Sequence, residues 1–296
     1  MTLPPSTSRS TDWTGLYDAY GRASDVPDHL AALSDPDPAV RLAATSALAG
    51  SVCHQGTRWP ASAHVVGPLV DLVDTPATPD RGTLLHLLHA LAVGSRSDTE
   101  LPFHPARAFA PADRVGQADE GALLRVLFEE EDPDIDAVAD TADAIALLWA
   151  ARAYRAASHH TAAFLRWLDD PDPAVVTRAA ALLVWFAPLP GLAGTLAGVP
   201  RDTVEARASA NLALAHLSGH LGAEELAVLT ACLSSPHEPV RVTAAIALAR
   251  RQAGGLPDPA LTLLVHADSI AVPGAVQGWD RSLRGHVAVT LRHLGL

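Results

Sequence analysis

The chain has 296 residues, of which 49% are hydrophobic and 5% aromatic, and its formal net charge is −12 at pH 7. Its 21 basic residues are all arginines, and they form no cluster along the chain. Nucleic-acid-binding proteins concentrate basic residues, because most of their affinity comes from neutralising phosphates. The composition therefore argues against a nucleic-acid partner and favours a protein partner with a basic surface.

The termini, cysteines and hydropathy predict a cytoplasmic protein that has no membrane partner. Residues 1–10 are rich in Pro, Ser and Thr and lack the apolar stretch of a signal peptide, so they are predicted to be a flexible tail. Cys53 and Cys232 are far apart and form no CxxC motif, which fits a reducing compartment. No uncharged apolar run reaches the roughly 20 residues that span a bilayer. A single folded domain is predicted over residues 11–296.

The predicted elements are helices in pairs. A first helix is predicted over about 13–24, and seven helix pairs follow, each divided by a turn that usually contains proline. Proline suits these turns because it can begin a helix but cannot continue one. The pairs cover about 25–50, 61–94, 119–157, 158–187, 188–218, 221–252 and 257–295. No segment shows the alternation of an exposed strand, so no sheet is predicted.

One short block recurs three times at the turns of these pairs. It reads LSDPDPAVR at 33–41, LDDPDPAVV at 168–176 and LSSPHEPVR at 233–241. Each copy ends one apolar run and begins another that is rich in Ala and Leu. The intervals between the copies fit whole numbers of helix pairs of about 32 to 34 residues, the unit size of an α-helical solenoid. Such solenoids offer extended binding surfaces.

The blocks resemble HEAT repeats, in which the turn carries an Asp and the second helix carries an Arg near its start. Asp37 and Arg41 match this pattern in the first copy and Arg241 matches it in the third, so these three are interpreted as structural residues. The second copy departs from the pattern, because Val176 stands where the Arg is expected. The resemblance covers most of 25–295 and implies an all-α, armadillo-like fold: a right-handed solenoid of about seven antiparallel helix pairs.

A narrower similarity rests on the turn between the first two pairs. The sequence Cys53-His54-Gln55-Gly56-Thr57 is similar to a turn found in a group of bacterial HEAT-like proteins. This similarity implies a bacterial repeat protein and no particular activity.

Two insertions interrupt the predicted pairs, at 51–60 and 95–118. Both connect a second helix to the next first helix, so they are expected on the same edge, where loops on a rigid scaffold often carry function. The candidate binding residues on this edge are His54, Arg58, Trp59, Phe103, His104 and Arg107. In the alternative interpretation, Trp59 and Phe109 cap the N-terminal end of the core.

His86 and His89 share one face of a predicted helix and are weak candidates for metal ligands. With His54 or His104 they could supply imidazoles to zinc or iron. No carboxylate accompanies them in a recognisable ligand motif, so no metal and no other cofactor is predicted. The HEAT-like di-iron hydroxylases use repeated His-Glu pairs, and this chain has only one such pair, at 237–238.

Asp136, Asp140 and Asp143 follow the spacing of one helix face, directly after the acidic run at 129–132. In HEAT arrays the second helices line the concave surface, so these aspartates would place negative charge inside the groove. An ordinary solvated helix face explains the same pattern equally well.

These observations favour a non-catalytic protein-binding solenoid, either an adaptor or an inhibitor such as an immunity factor against a toxin. The alternative is an enzyme or a lyase-like accessory protein with a pocket formed by His54, His86 and His104, by analogy with HEAT-like pigment-attachment lyases. A HEAT-like DNA glycosylase, suggested by Asp143 and Trp149, is a remote alternative because no basic groove is predicted.

Overall fold

The computed structural model describes residues 11–132, 134, 136–252, 255–270, 272 and 274–296. Over these residues the protein is all-α apart from one short hairpin, as the sequence predicts. The predicted flexible tail, residues 1–10, lies outside the described residues. No helix in the described part of the chain is both long enough and apolar enough to cross a bilayer.

Among the described residues, fourteen helices lie at the positions of the seven predicted pairs, and one further short helix, α5, lies inside the second insertion. In chain order they are α1 Val26–Ala32, α2 Pro38–Val52, α3 Ser62–Asp74, α4 Arg81–Ala92, α5 Pro105–Ala108, α6 Gln117–Phe128, α7 Asp136–Ser158, α8 Thr161–Arg166, α9 Pro173–Leu183, α10 Leu192–Gly198, α11 Val204–His216, α12 Ala223–Cys232, α13 Glu238–Arg251, α14 Asp258–Ser269 and α15 Leu283–His293. The helical periodicity and the prolines of the sequence account for these bounds.

The helix predicted over 13–24 is wrong, and so is the prediction that the chain has no sheet. A 3₁₀ turn at Trp13–Gly15 precedes two antiparallel strands, β1 Tyr17–Asp18 and β2 Gly21–Arg22. The Asp18 carboxylate accepts a hydrogen bond from the Tyr20 backbone N–H at 2.8 Å, and Gly21 has a φ of 131°. The local side-chain bond and the glycine conformation favour a tight turn over a helix here.

The first copy of the repeated block shows how its turn is held. Asp37 caps α2, because its carboxylate accepts a hydrogen bond from the Ala39 N–H at 2.8 Å. Arg41 turns back and donates from Nη1 to the carbonyl oxygens of Asp35 at 2.8 Å and Pro36 at 3.1 Å. The guanidinium therefore donates hydrogen bonds to carbonyl groups that follow the end of α1 and have no hydrogen-bond partner within a helix.

The third copy repeats this arrangement despite its different sequence. Arg241 donates from Nη1 to the carbonyl oxygens of Ser235 at 2.8 Å and Pro236 at 3.0 Å. The two bonds correspond position by position to those of Arg41. Arg41 and Arg241 thus have the same structural role, which is to close the turn between two helices.

The second copy obtains its arginine from a distant part of the chain. Asp172 caps α9 through the Ala174 N–H at 2.9 Å, as Asp37 caps α2. Because Val176 occupies the usual arginine position, no guanidinium of the same block is available. Arg81, the first residue of α4, instead forms a buried two-bond ion pair with Asp170, with Nη1 2.9 Å from Oδ2. This contact fastens the start of α4 to the turn before α9.

The chain divides into two compact units. The first combines Met1–Pro79, Ala90–Gly94 and Pro105–Ala157, and the second combines Asp80–His89, Ser95–His104 and Ser158–Leu296. In the second unit α11 packs against both α9 and α13, which are rich in buried alanine. Small side chains allow these helices to approach closely. The prediction of one domain over residues 11–296 stays a prediction.

Candidate functional site

The three aspartates of α7 lie on its exposed face, in the first unit. The opposite face of α7 is buried through Val138, Ile145 and Trp149. Asp136, Asp140 and Asp143 are all exposed, and none of them forms an ion pair within the described part of the chain. Their mutual repulsion is therefore not offset by neighbouring cations.

Exposed acids of the segment before α7 extend this surface. Glu129 already has partners within the chain, since its carboxylate accepts hydrogen bonds from Arg22 Nη2 at 3.0 Å and from the Tyr17 hydroxyl. The remaining exposed carboxylates form a surface that we call the acidic face. Its members are Glu130, Glu131, Asp132, Asp134, Asp136, Asp140 and Asp143. Pro133 and Ile135, which the sequence places between them, lie outside the described residues.

Trp149 is part of the core beneath this face. Its side chain is 2% exposed, and its indole Nε1 donates to the Glu120 carboxylate at 2.6 Å. Arg152 binds the same carboxylate through two nitrogens, at 2.5 and 2.8 Å. A tryptophan held in this way cannot stack on an extruded nucleotide, so the comparison with a DNA glycosylase gains no support from it.

Trp59 and Arg58, in the first insertion, point into the first unit. The Trp59 ring stacks on Trp149 at a centroid distance of 5.3 Å and meets Phe128 edge-on at 5.8 Å. Arg58 is buried and donates from Nη1 to the Gly56 carbonyl at 2.7 Å. A Cβ at Gly94 would come within 2.1 Å of that guanidinium, so only glycine leaves room for it. These contacts are the ones expected if the insertion caps the core.

The other candidate residues of the insertions are divided between the two units. In the first, His54 lies against Tyr20, with Nδ1 3.3 Å from the hydroxyl, and Arg107 is exposed on α5. In the second, Phe103 packs edge-on against Trp185 at 5.8 Å, and His104 is exposed. The prediction that the two insertions form one binding edge stays a prediction.

His86 and His89 have different surroundings in the second unit, and neither belongs to a group of possible metal ligands among the described residues. The His86 side chain is exposed, whereas His89 lies against Trp185 and its Nε2 atom is buried without a hydrogen-bond partner. Burial, together with the smaller effects of the neighbouring His86 and Arg178, lowers the pKa of His89 to about 4. His89 is therefore neutral at pH 7.

A different set of side chains comes together in the second unit, and the sequence did not predict it. Asp98 lies in the second insertion, His216 is the last residue of α11, and His286 is in α15. Each of these three residues has one nitrogen or oxygen atom that could bind a metal, and the three atoms lie within 4.8 Å of one another. The three residues are 2%, 5% and 2% exposed, respectively. We call this group the Asp-His-His cluster.

Charged groups surround the Asp-His-His cluster. Arg281 Nη2 lies 3.0 Å from Asp98 Oδ1, and Arg250 Nη1 lies 3.3 Å from His216 Nε2. Burial lowers the pKa of His216 to about 2 and that of His286 to about 4, while burial and then the charge of Asp280 raise the pKa of Asp98 to about 6. At neutral pH the cluster therefore contains one carboxylate and two uncharged imidazoles.

The indole of Trp279 holds the two imidazoles in place. Its ring lies 5.4 Å from that of His216 and 6.0 Å from that of His286. Its Nε1 atom donates to the Ser209 hydroxyl at 2.9 Å, which fixes the ring on α11. His216 ends a helix in which every residue from Ala206 onwards is buried, and a histidine in such a place is costly unless it has a partner.

No family model matches the chain, and neither a curated protein nor a solved structure matches it. The similarity of the repeated blocks to HEAT repeats therefore stays a prediction.

Proposed function

We propose that the protein is a HEAT-like solenoid that binds a basic protein partner through its acidic face. The observation that carries this proposal is the row of exposed carboxylates on α7, which has no ion-pair partners among the described residues. Like charges at i, i+4 destabilise a helix by about 0.2–0.5 kcal/mol per pair. A partner with Lys and Arg residues in register would convert this cost into attraction.

The charge of the surface defines the class of partner. Carboxylates repel the phosphates of nucleic acids and of anionic membranes, whereas they attract basic proteins over distances of about a Debye length, roughly 8–10 Å at physiological salt. The net charge of −12 acts in the same direction. The protein accordingly acts in the cytoplasm as an adaptor or as an inhibitor of a basic protein, and this activity requires no catalytic group.

The repeated turn supports the HEAT-like part of the proposal. Arg41 and Arg241 close two turns through the same pair of backbone positions. Asp37 and Asp172 cap the second helices of two blocks in the same way. Equivalent contacts in separate blocks are what repetition of one structural unit produces.

The triple variant Asp136→Asn, Asp140→Asn, Asp143→Asn tests the proposal. The wild-type protein and the variant are each immobilised and exposed to a lysate of the source cells, and the retained proteins are identified by mass spectrometry. We expect a basic protein that the wild type retains at low salt and releases as salt rises, and whose retention by the variant falls at least tenfold. The stability of the variant should hold or rise slightly, because repulsion is removed.

A variant with the same change in net charge serves as the control. Asp71→Asn, Glu224→Gln, Asp268→Asn removes three exposed carboxylates from other surfaces. The control should retain the partner as the wild type does. Equal loss in both variants would show that only net charge matters, and equal retention by all three proteins would reject the acidic face as a binding surface.

A further inference from the structure

The Asp-His-His cluster contains buried nitrogen and oxygen atoms that have no hydrogen-bond partner. His286 Nε2 lies 3.4 Å from Asp98 Oδ2, yet the two atoms are not aligned for a hydrogen bond. Both oxygens of Asp98 are also without a hydrogen bond, although Arg281 remains close enough for an ion pair. Leaving a buried polar group without a hydrogen bond costs about 1–3 kcal/mol, and such a group in a folded protein calls for an explanation.

The distance between these atoms fits two ligands of one metal ion. Zinc binds histidine nitrogen at about 2.0–2.1 Å and carboxylate oxygen at about 2.0–2.2 Å in tetrahedral geometry, which separates two ligand atoms by about 3.3–3.5 Å. The observed separation of His286 Nε2 from Asp98 Oδ2 is 3.4 Å. The donor atom of His216 lies within 4.8 Å of both, so a movement of that ring by about 1 Å would complete the set.

We propose that Asp98, His216 and His286 bind one divalent transition-metal ion, with zinc as the preferred ion. Two imidazoles and one carboxylate are ligands that zinc and ferrous iron accept, and three protein ligands leave a fourth position open. The proposal goes beyond the binding of a partner protein and involves none of the residues of the acidic face.

The side chains next to the cluster are placed to orient its proposed metal ligands. Arg281 and the backbone contact between the Asp98 N–H and Asp280, at 3.2 Å, orient the Asp98 carboxylate. Trp279 packs against both imidazoles and fixes the planes of their rings. Such outer partners set the orientation of metal ligands, and their loss typically weakens metal binding about 10- to 100-fold.

Two neighbouring guanidinium groups oppose a cation, that of Arg281, which lies 3.0 Å from Asp98 Oδ1, and that of Arg250. The Arg250 guanidinium lies 3.3 Å from His216 Nε2 and competes with a metal ion for that side of the cluster. Arg250 also lines a cavity of about 350 Å³ together with Arg251, His220 and three other residues, so it has space to move away. Metal binding would thus displace Arg250 from His216. Removing this guanidinium should therefore strengthen metal binding.

Cobalt binding tests the proposal. The full-length protein is treated with a chelator and titrated with Co²⁺, whose absorption in the visible range reports four-coordinate binding, and Zn²⁺ is used to displace it. We expect one ion per chain, with Zn²⁺ binding more tightly than Co²⁺. Asp98→Asn and His286→Gln should each weaken binding by at least about 10- to 100-fold, whereas His266→Gln, which changes an exposed histidine of the same unit, should have no effect.

The variant Arg250→Gln distinguishes a cluster that binds metal from a cluster that has only a structural role. If the cluster binds metal, this variant should bind Co²⁺ several-fold more tightly than the wild type, because a competing positive charge is gone. Circular dichroism checks that each variant is folded, and Arg250→Gln decides the matter even if Asp98→Asn and His286→Gln do not fold. A wild-type spectrum identical to that of free Co²⁺, or equal affinity in the His286→Gln and His266→Gln variants, would overturn the proposal.

Discussion

At the scale of single residues, the environment decides between roles that the residue type leaves open. Trp59 was a candidate contact residue or a cap of the core, and the structure places its ring in a stack with Trp149. His104 is exposed, whereas His216 and His286 are buried, and burial lowers the pKa of both of these imidazoles. The same type of side chain thus has different properties in the core and at the surface, because burial removes it from water.

Trp59→Ala should lower the free energy of unfolding by about 2–4 kcal/mol. Deleting a buried aromatic side chain costs about 3–5 kcal/mol, and Trp59 is only partly buried. Trp59→Phe, which keeps an aromatic ring against Trp149, should cost about 1 kcal/mol. Urea denaturation measures both values. Unchanged stability in Trp59→Ala would favour the alternative, in which Trp59 is a contact residue for a partner.

At the scale of secondary-structure elements, the helices are held by local caps and by a few contacts between distant segments. The turn before α2 is closed by Arg41 from the same block, whereas the turn before α9 uses Arg81 from the start of α4. The second kind of contact fixes the position of one element relative to another. It is also the more costly to break, because both of its charges are largely withdrawn from water.

Arg81→Gln should therefore destabilise the protein by about 3 kcal/mol, since it leaves the Asp170 carboxylate without its ion-pair partner in a mostly buried site. Arg41→Gln is the matched control and should cost about 1 kcal/mol, because its bonds to carbonyl oxygens can be replaced by water. Thermal unfolding of the two variants provides the comparison. Asp170→Asn added to Arg81→Gln should recover part of the loss, and similar losses in the two single variants would contradict this account.

At the scale of the whole molecule, the excess of acidic residues is the dominant electrostatic property. The net charge is −12, and the carboxylates of the acidic face are exposed without ion-pair partners among the described residues. Mutual repulsion of this kind opposes the compact state and is reduced by salt.

Raising the NaCl concentration from 10 to 200 mM should accordingly increase the melting temperature by a few degrees, because the Debye length shortens from about 30 Å to less than 10 Å. The triple variant of Asp136, Asp140 and Asp143 should show a smaller increase than the wild type. Scanning calorimetry at a fixed pH measures the effect. A melting temperature that falls with salt would indicate that attractive ion pairs, rather than repulsion, dominate the stability.

The sequence by itself determined the elements whose causes are local. Helical periodicity and prolines predicted where fourteen of the described helices lie, and the Asp-Arg pattern marked Asp37, Arg41 and Arg241 as structural residues of the turns. The segment at 13–24 was mispredicted, because its turn depends on the local bond to Asp18 and on a backbone contact from Ala19 to the Ser51 carbonyl. Contacts within a few residues can be inferred from spacing, whereas a contact with residue 51 cannot.

Only the tertiary structure decided which distant residues meet. The exposed aspartates of α7 were predicted, because one helix determines their common face. The Asp-His-His cluster was not, since Asp98, His216 and His286 belong to separate segments and share no local motif. The pairing of Arg81 with Asp170 has the same origin. Chain spacing carries no information about such pairs, because their proximity follows from the packing of whole helices against one another.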